Sequence, residues 1–286
     1  MKKWIVLFFG IICISISAVF VKLAAVNGLA SAFYRILFAL VFVAPIYLLS
    51  KKPKADIKKC IICIIGGTCF GLELAFWNVS VMISSATIPT LLVNLSCIWV
   101  AIGATIVFKE KTTIYHWVGT ILALIGVIVV IGPNQIIKMR IENGEIYAII
   151  GSFFLAAYTL IIKHVRIQIR TIEVLFYSLL GSLLPLIIIC ISKDVDLIGF
   201  SEKTWFLLWC IGLITQVGGY FSINYALGHI TSIKVSRFDF QASFLILLFY
   251  LLLVQPLRPN TQSRYRPSAL CCRLTRPGGK SDQSSY

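Results

Sequence analysis

The chain has 286 residues, of which 59% are hydrophobic and only 13% are charged, and its mean hydropathy is +0.93. A soluble domain carries about 25% charged residues, so this composition excludes a water-soluble fold, whose core could not bury so much apolar surface. The formal charge of +15 does not indicate a nucleic-acid partner, because most lysines and arginines lie in short loops between apolar blocks, where they set the orientation of a protein in the bilayer.

The apolar residues fall into successive segments, most of them about 17 to 23 residues long, which is enough to cross a ~30 Å hydrocarbon core as a helix. Turn signals such as Asn27-Gly28 and Lys52-Pro53 separate the segments. The first segment is expected to be retained as a helix, because its apolar run is longer than that of a signal peptide. The sequence therefore predicts an all-α polytopic membrane protein, with segments 1 to 9 at approximately 4–23, 31–49, 60–82, 86–107, 115–132, 145–162, 172–192, 204–226 and 238–254.

The charges of the loops predict the orientation. If the N-terminus is cytoplasmic, most loop lysines and arginines lie inside, as the positive-inside rule favours. We therefore expect a multi-pass protein of a bacterial inner membrane, with the loops 50–59 and 163–171 both on the cytoplasmic face. Only four loop cations then lie outside: Lys138, Arg140, Lys193 and Lys203.

The two halves of the chain share one pattern. Residues 76–110 align without gaps with 221–255, at an offset of 145, as helix, short polar turn and helix. Lys22 pairs with Lys163 at an offset of 141. Each half then holds five spans, and an odd number makes the halves run in opposite directions, which is the inverted repeat of secondary transporters. We expect the halves at 1–133 and 144–257.

The partner of segment 5 is missing. At the same offset it would occupy 261–278, which reads TQSRYRPSALCCRLTRPG and cannot cross a bilayer. We interpret 258–286 as a non-native basic tail produced by a frameshift or a read-through, and a native disordered tail is the alternative. About nine of ten expected helices are then present.

Several short motifs occur in a fixed order and spacing along this frame. They are Phe33-Tyr34-Arg35, Ser84 to Thr87 leading into Leu91 to Ser96, Phe108 to Lys111, Gly119 and Gly126, Tyr225 to Leu227, and Leu251 to Leu257. With them the chain resembles the EamA family of the drug/metabolite transporter superfamily. The resemblance implies ten helices in two inverted halves around a central cavity, and proton-linked or facilitated movement of small metabolites. The chain departs from the family pattern at Cys97, where a proline is usual, and at Gln255, where a second glutamate is usual.

Three ionisable residues are predicted to lie within the membrane, where a charge needs a partner or a wet cavity. Glu73 lies in the middle of segment 3, and we expect it to bind a substrate amine or to carry a coupling proton, with a structural hydrogen bond as the alternative. Arg35 is expected to attract an anionic substrate group or to pair with Glu73, with an interfacial anchor or a buried structural ion pair as the alternatives. Asp239 matches Asn94 at the offset of 145, so both are candidate site residues, with a solvated helix end as the alternative for Asp239. Glu73 shares one helical stripe with Gly66, Phe70, Trp77 and Ser80.

Other residues have weaker signals. Trp77 and Trp99 are candidates for stacking on a planar or cationic substrate, with interfacial anchoring as the alternative. The Gly67-x-x-x-Gly71 pair predicts a close approach of two helices. Lys22 and Lys163 are interpreted as snorkelling helix ends, with a gate as the alternative.

These features favour a secondary transporter that moves small metabolites, amino acids or related amphipathic compounds, across the inner membrane by alternating access. We predict no catalytic residue, no metal site and no cofactor, since the sequence has no HExxH, G-x-S-x-G or phosphate-loop motif. The expected partners are the lipid bilayer and a small-molecule substrate, with a coupled proton and a homodimer left open. An intramembrane enzyme or lipid-handling protein, and a non-transporting membrane subunit, are the alternative functions.

Overall fold

A computed structural model describes residues 2–50, 56–84, 87–110, 114, 117–118, 121, 143–166 and 168–239. These residues form helices and short connections, without a strand among them, and all belong to one compact unit, Met1–Leu248. The helices are α1 Lys2–Ser15, α2 Ser17–Ala24, α3 Gly28–Leu48, α4 Ile57–Ile83, α5 Thr87–Val93, α6 Ser96–Val107, α7 Asn143–Arg166, α8 Thr171–Ser192 and α9 Glu202–Cys210, followed by the π-helix Ile211–Tyr220, α10 Phe221–Leu227 and α11 at 232–239.

Six stretches are long and apolar enough to cross a membrane, and they coincide with predicted segments 1, 2, 3, 6, 7 and 8. They run over Lys3–Ala24, Gly28–Leu48, Ile57–Ile83, Asn143–Arg166, Thr171–Ser192 and Glu202–Leu227. Segment 4 contains α5 and α6, and α11 begins six residues before the predicted start of segment 9. Most of segment 5, the rest of segment 9 and the tail 258–286 lie outside the described residues. The prediction of an all-α polytopic fold is confirmed.

Within each half, the first and third segments run parallel, because they end at the same face of the protein. The Lys22 ammonium in segment 1 donates to the carbonyl oxygen of Ser84, which follows segment 3, at 2.9 Å. In the second half, the Lys163 ammonium at the end of segment 6 donates to the carbonyl oxygen of Leu227, at the end of segment 8, over 3.1 Å. We call the two ends of the bundle the Lys22 face and the Lys163 face.

Between the halves, first and third segments run antiparallel. Gly10 packs against Ser222, whereas the Thr204 hydroxyl, at the start of segment 8, donates to the carbonyl oxygen of Ala24, at the end of segment 1.

Segments 3 and 6 pack in the same antiparallel way. The Ser80 hydroxyl, near the end of segment 3, donates to the carbonyl oxygen of Gly144 at the start of segment 6, and Gly66 lies against Ile161 near the other end. The two halves therefore run in opposite directions, and the predicted inverted repeat is confirmed.

Helices α4 and α8 pack closely along a stripe of small residues. A Cβ atom added at Gly67 would overlap the carbonyl oxygen of Ser178, and one at Gly71 would overlap the carbonyl oxygen of Ser182. The absence of these side chains lets the Ser182 hydroxyl donate to the Gly67 carbonyl oxygen at 2.8 Å. The close approach predicted from Gly67-x-x-x-Gly71 is confirmed.

The loops after segments 2 and 6 meet at the Lys163 face. The Arg170 guanidinium donates to the Ser50 hydroxyl at 2.8 Å, and it forms an ion pair with Glu173 at 2.7 Å. The Glu173 carboxylate raises the pKa of Arg170, so this contact between the loops keeps its charge. Ser50 and Arg170 of the loops 50–59 and 163–171 thus lie at one face, as predicted, and residues 51–55 and 167 lie outside the described part of the chain.

Two irregular stretches interrupt the helical regularity. Segment 8 contains ten residues of π-helix, a rare conformation that is frequent at functional sites. Segment 4 breaks at Asn94 and Leu95, between α5 and α6. Interrupted helices expose backbone groups inside a membrane protein only where protein or a cavity can contact them. Both stretches therefore indicate a binding region in the interior beside them.

Candidate functional site

Arg35 lies in α3 and is the largest fully buried side chain among the described residues, with 2% of its surface exposed. Its Nε donates to Gln216 Oε1 and its Nη1 donates to Ser17 Oγ, each at 2.9 Å. Its Cζ atom lies 5.8 Å from the centre of the Tyr220 ring. These contacts join segments 1, 2 and 8. The alternative interpretation of Arg35 as an interfacial anchor is wrong, because the guanidinium is enclosed by protein.

The π-helix explains how segment 8 reaches Arg35. Its wider turn places two buried polar residues, Thr215 and Gln216, against the core. The Thr215 hydroxyl donates to the carbonyl oxygen of Ile211 at 2.6 Å, within its own helix. The Gln216 side chain instead faces the Arg35 guanidinium and accepts its hydrogen bond.

Glu73 lies in α4, with 3% of its surface exposed. Its Oε2 atom is buried and has no hydrogen-bond partner in the described part of the chain. The carboxylate interacts electrostatically with Arg35, and with Asp239, a group of like charge. No salt bridge within 4.0 Å joins it to Arg35 in the described residues, so the predicted pairing is a longer-range attraction. The remaining members of the predicted stripe, Gly66, Phe70, Trp77 and Ser80, are also buried.

Asp239, at the end of the described part of α11, lies beside a small cavity between the halves. Its Oδ1 atom is buried without a hydrogen-bond partner among the described residues, whereas the residue as a whole is partly exposed. Its role in the site stays a prediction, with a solvated helix end as the alternative. From the first half, Ser96 at the start of α6 lines this cavity, and the other lining residues described belong to the second half. The lining residues are Ser96, Leu155, Tyr158, Thr159, Tyr220, Ile223, Val235, Ser236 and Asp239.

Two tyrosines form the aromatic wall of this cavity. The Phe70 ring packs against the rings of Tyr158 and Tyr220, with centroid distances of 4.8 Å and 4.4 Å. The Tyr158 hydroxyl donates to Asn224 Oδ1 at 3.1 Å. Tyr220 interacts electrostatically with all three ionisable residues of the site. The cavity thus combines aromatic surface with acidic oxygen atoms.

Asn94 lies at the break of segment 4, two residues before the cavity residue Ser96. Its side-chain amide donates to the carbonyl oxygen of Thr90 at 2.8 Å, and 7% of its surface is exposed. This bond turns the amide back onto α5 and supports the last turn before the break.

The two candidate tryptophans lie apart from the described cavity. The Trp99 ring stacks on Phe153 at 4.1 Å and its indole nitrogen donates to Ser152 Oγ at 3.0 Å, so it packs segment 4 onto segment 6. Trp77 is 6% exposed and belongs to a second apolar cluster, with Val21 and Ile211. A substrate contact for either ring stays a prediction.

Of the six site residues predicted from the sequence, the structure brings Arg35, Glu73 and Asp239 into one electrostatic neighbourhood. Sequence reasoning did not select Tyr158, Tyr220 or Gln216. Gln216 had a usable signal, since it is an amide inside an otherwise apolar segment. The tyrosines had none that separates them from the other nine in the chain.

The arrangement can accept a cation or a proton. Arg35 already has two hydrogen-bond acceptors and an aromatic face, whereas Glu73 and Asp239 each keep a buried oxygen atom that no described residue contacts by a hydrogen bond. An uncompensated carboxylate is costly in a low-dielectric interior. A positively charged ligand, or a proton on the carboxyl group, would remove that cost.

The sequence matches the profile of the EamA-like transporter family over residues 1–132 and 142–261, one match for each half. The chain belongs to the EamA-like transporter family. It is therefore a multi-pass membrane transporter of the drug/metabolite superfamily, as the resemblance implied. No curated protein matches the chain.

A crystal structure of another protein is similar to this EamA-like chain, with a TM-score of 0.72. The two share 14% sequence identity, and the similarity covers 88% of this chain and 89% of the other. At this identity the likeness shows the fold alone.

Proposed function

We propose that this EamA-like transporter moves small amphipathic metabolites that carry an amine, such as amino acids or their derivatives, across the bacterial inner membrane by alternating access. The observation that supports the proposal is a pair of buried carboxylate oxygen atoms, on Glu73 and Asp239, that have no hydrogen-bond partner among the described residues. Asp239 lines the cavity, and Glu73 interacts electrostatically with Asp239. An ammonium group is the ligand that best satisfies such oxygen atoms.

The aromatic wall supports the amphipathic part of the proposal. Tyr158, Tyr220 and Ile223 offer apolar and π surface to a side chain, and Thr159 and Ser236 add hydroxyl groups. Pockets for small molecules usually combine mostly apolar walls with a few polar groups that fix the orientation of the ligand.

Arg35 has a supporting role in this proposal. Because Gln216 and Ser17 already accept its hydrogen bonds, it is not free to bind a substrate carboxylate through those donors. Its charge instead offsets part of the cost of burying the Glu73 carboxylate. When the substrate leaves, a proton takes its place on Glu73, which links transport to proton movement.

The orientation belongs to the same proposal. The Lys163 face carries the loops with most lysines and arginines, including Lys58, Lys59 and Arg170. The positive-inside rule then makes the Lys163 face cytoplasmic.

Counterflow in proteoliposomes tests the proposal. Vesicles that contain the purified chain are loaded with an unlabelled amino acid and diluted into a trace of the same compound with a radioactive label. We expect transient accumulation of the unchanged labelled compound, which vesicles without protein do not show. Chemical conversion without accumulation, for every neutral amino acid tried, would contradict the proposal.

A further inference from the structure

We infer that Lys22 and Lys163 are paired positioning residues that close the cavity on its two sides, each at its own face of the protein. The inference rests on the proposed alternating access, because it assigns the contacts that must break when either side opens.

At the Lys22 face, the lysine binds the end of a neighbouring segment. Its Nζ donates to the carbonyl oxygen of Ser84 at 2.9 Å. Ser84 is the C-terminal cap of α4 and has extended backbone, and carbonyl groups at a helix end lack partners within their own helix. The ammonium group therefore ties segment 1 to the end of segment 3, the segment that carries Glu73.

At the Lys163 face, the lysine also binds backbone carbonyl groups of a neighbouring segment, with two acceptors. Lys163 Nζ donates to the carbonyl oxygens of Leu227 at 3.1 Å and of Ile230 at 2.7 Å. These carbonyl groups close the end of segment 8, the segment that carries Tyr220 and Gln216.

Glu110 extends the network at this face to α11. It attracts Lys163 electrostatically. Its carboxylate accepts the Ser232 hydroxyl at 2.9 Å and the backbone N–H groups of Ser232 and Ile233 at 3.3 Å each. The start of α11, which brings Asp239 to the cavity, is therefore held beside Lys163.

The symmetry of the fold makes the two contacts counterparts. Lys22 and Lys163 are related by an offset of 141, and at the offset of 145 Ser84 corresponds to His229, between the two acceptors of Lys163. Each half contains one such lysine–carbonyl contact. Because the halves are inverted, the two contacts lie at opposite faces of the protein. Alternating access requires such a pair, since one side must close while the other opens.

Interfacial snorkelling explains the exposure of Lys22, but it does not explain why both ammonium groups contact carbonyl oxygens of another segment. The two contacts also differ in strength. Among the described residues, Lys22 is exposed and has one carbonyl acceptor, whereas Lys163 is half-buried, with two acceptors and a nearby carboxylate. The structure therefore has its firmer closure at the Lys163 face.

The test uses a cysteine at Ser236, which lines the cavity, in a full-length chain whose nine native cysteines are replaced. A membrane-impermeant maleimide is added to either side of oriented vesicles. We expect Lys22→Gln to raise the labelling rate from the Lys22 side, and Lys163→Gln to raise it from the Lys163 side. Because Lys22 is exposed and Lys163 is only half-buried, each contact is expected to contribute no more than an ordinary hydrogen bond. Its loss then predicts an increase of about three- to tenfold, larger at Lys163.

Matched controls separate this role from general loosening. Lys203→Gln and Lys234→Gln remove exposed lysines from the first turn of α9 and from α11, and we expect unchanged labelling from both sides, as for Lys22→Arg. If each lysine variant raises labelling equally from both sides, or neither raises it, the inference is wrong. Failure of counterflow in the reporter protein with both lysines intact would instead contradict the proposed function.

Discussion

Replacing Glu73 with glutamine separates a substrate-binding acid from a structural one. The glutamine side chain has nearly the same shape but no charge. Glu73 Oε2 has no hydrogen bond to lose among the described residues, and Arg35 keeps both of its acceptors. We therefore expect the variant to fold normally, with a free energy of unfolding within about 1 kcal/mol of the original, or roughly 2–4 °C in Tm.

The effect on transport should be much larger. A hydrogen bond to a charged group contributes about 1.5–3 kcal/mol, and every 1.4 kcal/mol is a factor of about ten in affinity. Loss of the contact between Glu73 and the substrate amine should therefore lower kcat/KM for counterflow by roughly 10- to 150-fold. Counterflow in proteoliposomes measures the change in kcat/KM, and thermal unfolding in detergent measures the change in stability.

The control is Glu202→Gln, which neutralises an exposed carboxylate in the first turn of α9. We expect this variant to transport normally. The reasoning is refuted if Glu73→Gln transports like the original chain at every pH. It is also refuted if Tm falls by 10 °C or more (about 3 kcal/mol), because that would make Glu73 a structural residue.

Three further predictions concern the packing and capping of the helices, and thermal unfolding measures each of them. Arg35→Lys keeps the charge but not the planar fork of donors, so stability should fall by about 1–3 kcal/mol, and a double variant with Gln216→Leu should lose less than the sum of the two single losses. Gly67→Ala puts a methyl group against a backbone carbonyl of α8 and should cost about 1–3 kcal/mol. Gly151→Ala, where the nearest atom would lie 3.6 Å from the new methyl group, should be neutral or slightly stabilising, and equal effects at the two glycines would contradict the close packing. Glu110→Gln should cost about 0.5–2 kcal/mol, because it weakens the cap of α11, and an unchanged Tm would contradict that role.

The sequence predicted the fold well because lipid imposes a simple rule on it. Each apolar run must satisfy its own backbone, so run length and composition fix the helices. The repeat offset then fixed the direction of the second half. The contact of Arg170 with Ser50 agrees with that prediction, because this contact joins two loops that were predicted to lie on one face.

The site was only partly predictable. Glu73 and Asp239 were found because an acid inside an apolar segment is costly and therefore noticeable. The partners of Arg35 depend on a π-helix, whose wider turn shifts which residues face inward, and neither propensity nor periodicity signals that change. Tyr158 and Tyr220 were missed because tyrosine is common in membrane helices and at their interfaces, so its presence in a segment does not indicate a cavity.

The substrate contact predicted for Trp99 stays open. Its large ring in the middle of a segment suggested a substrate surface, yet it stacks on Phe153 and donates to Ser152. Packing between segments 4 and 6 accounts for these contacts without a ligand. An aromatic residue therefore needs an observed neighbouring cavity before it indicates binding.

The recognition of an amine by buried carboxylates is the central physical claim, and competition during counterflow tests it most directly. Labelled amino acid uptake is challenged with the same amino acid and with its N-acetyl derivative, which keeps the side chain and carboxylate but has no ammonium group. We predict that the free amino acid competes at least about tenfold better, and that Glu73→Gln reduces this preference. Equal competition by the two compounds in the original chain would contradict the claim.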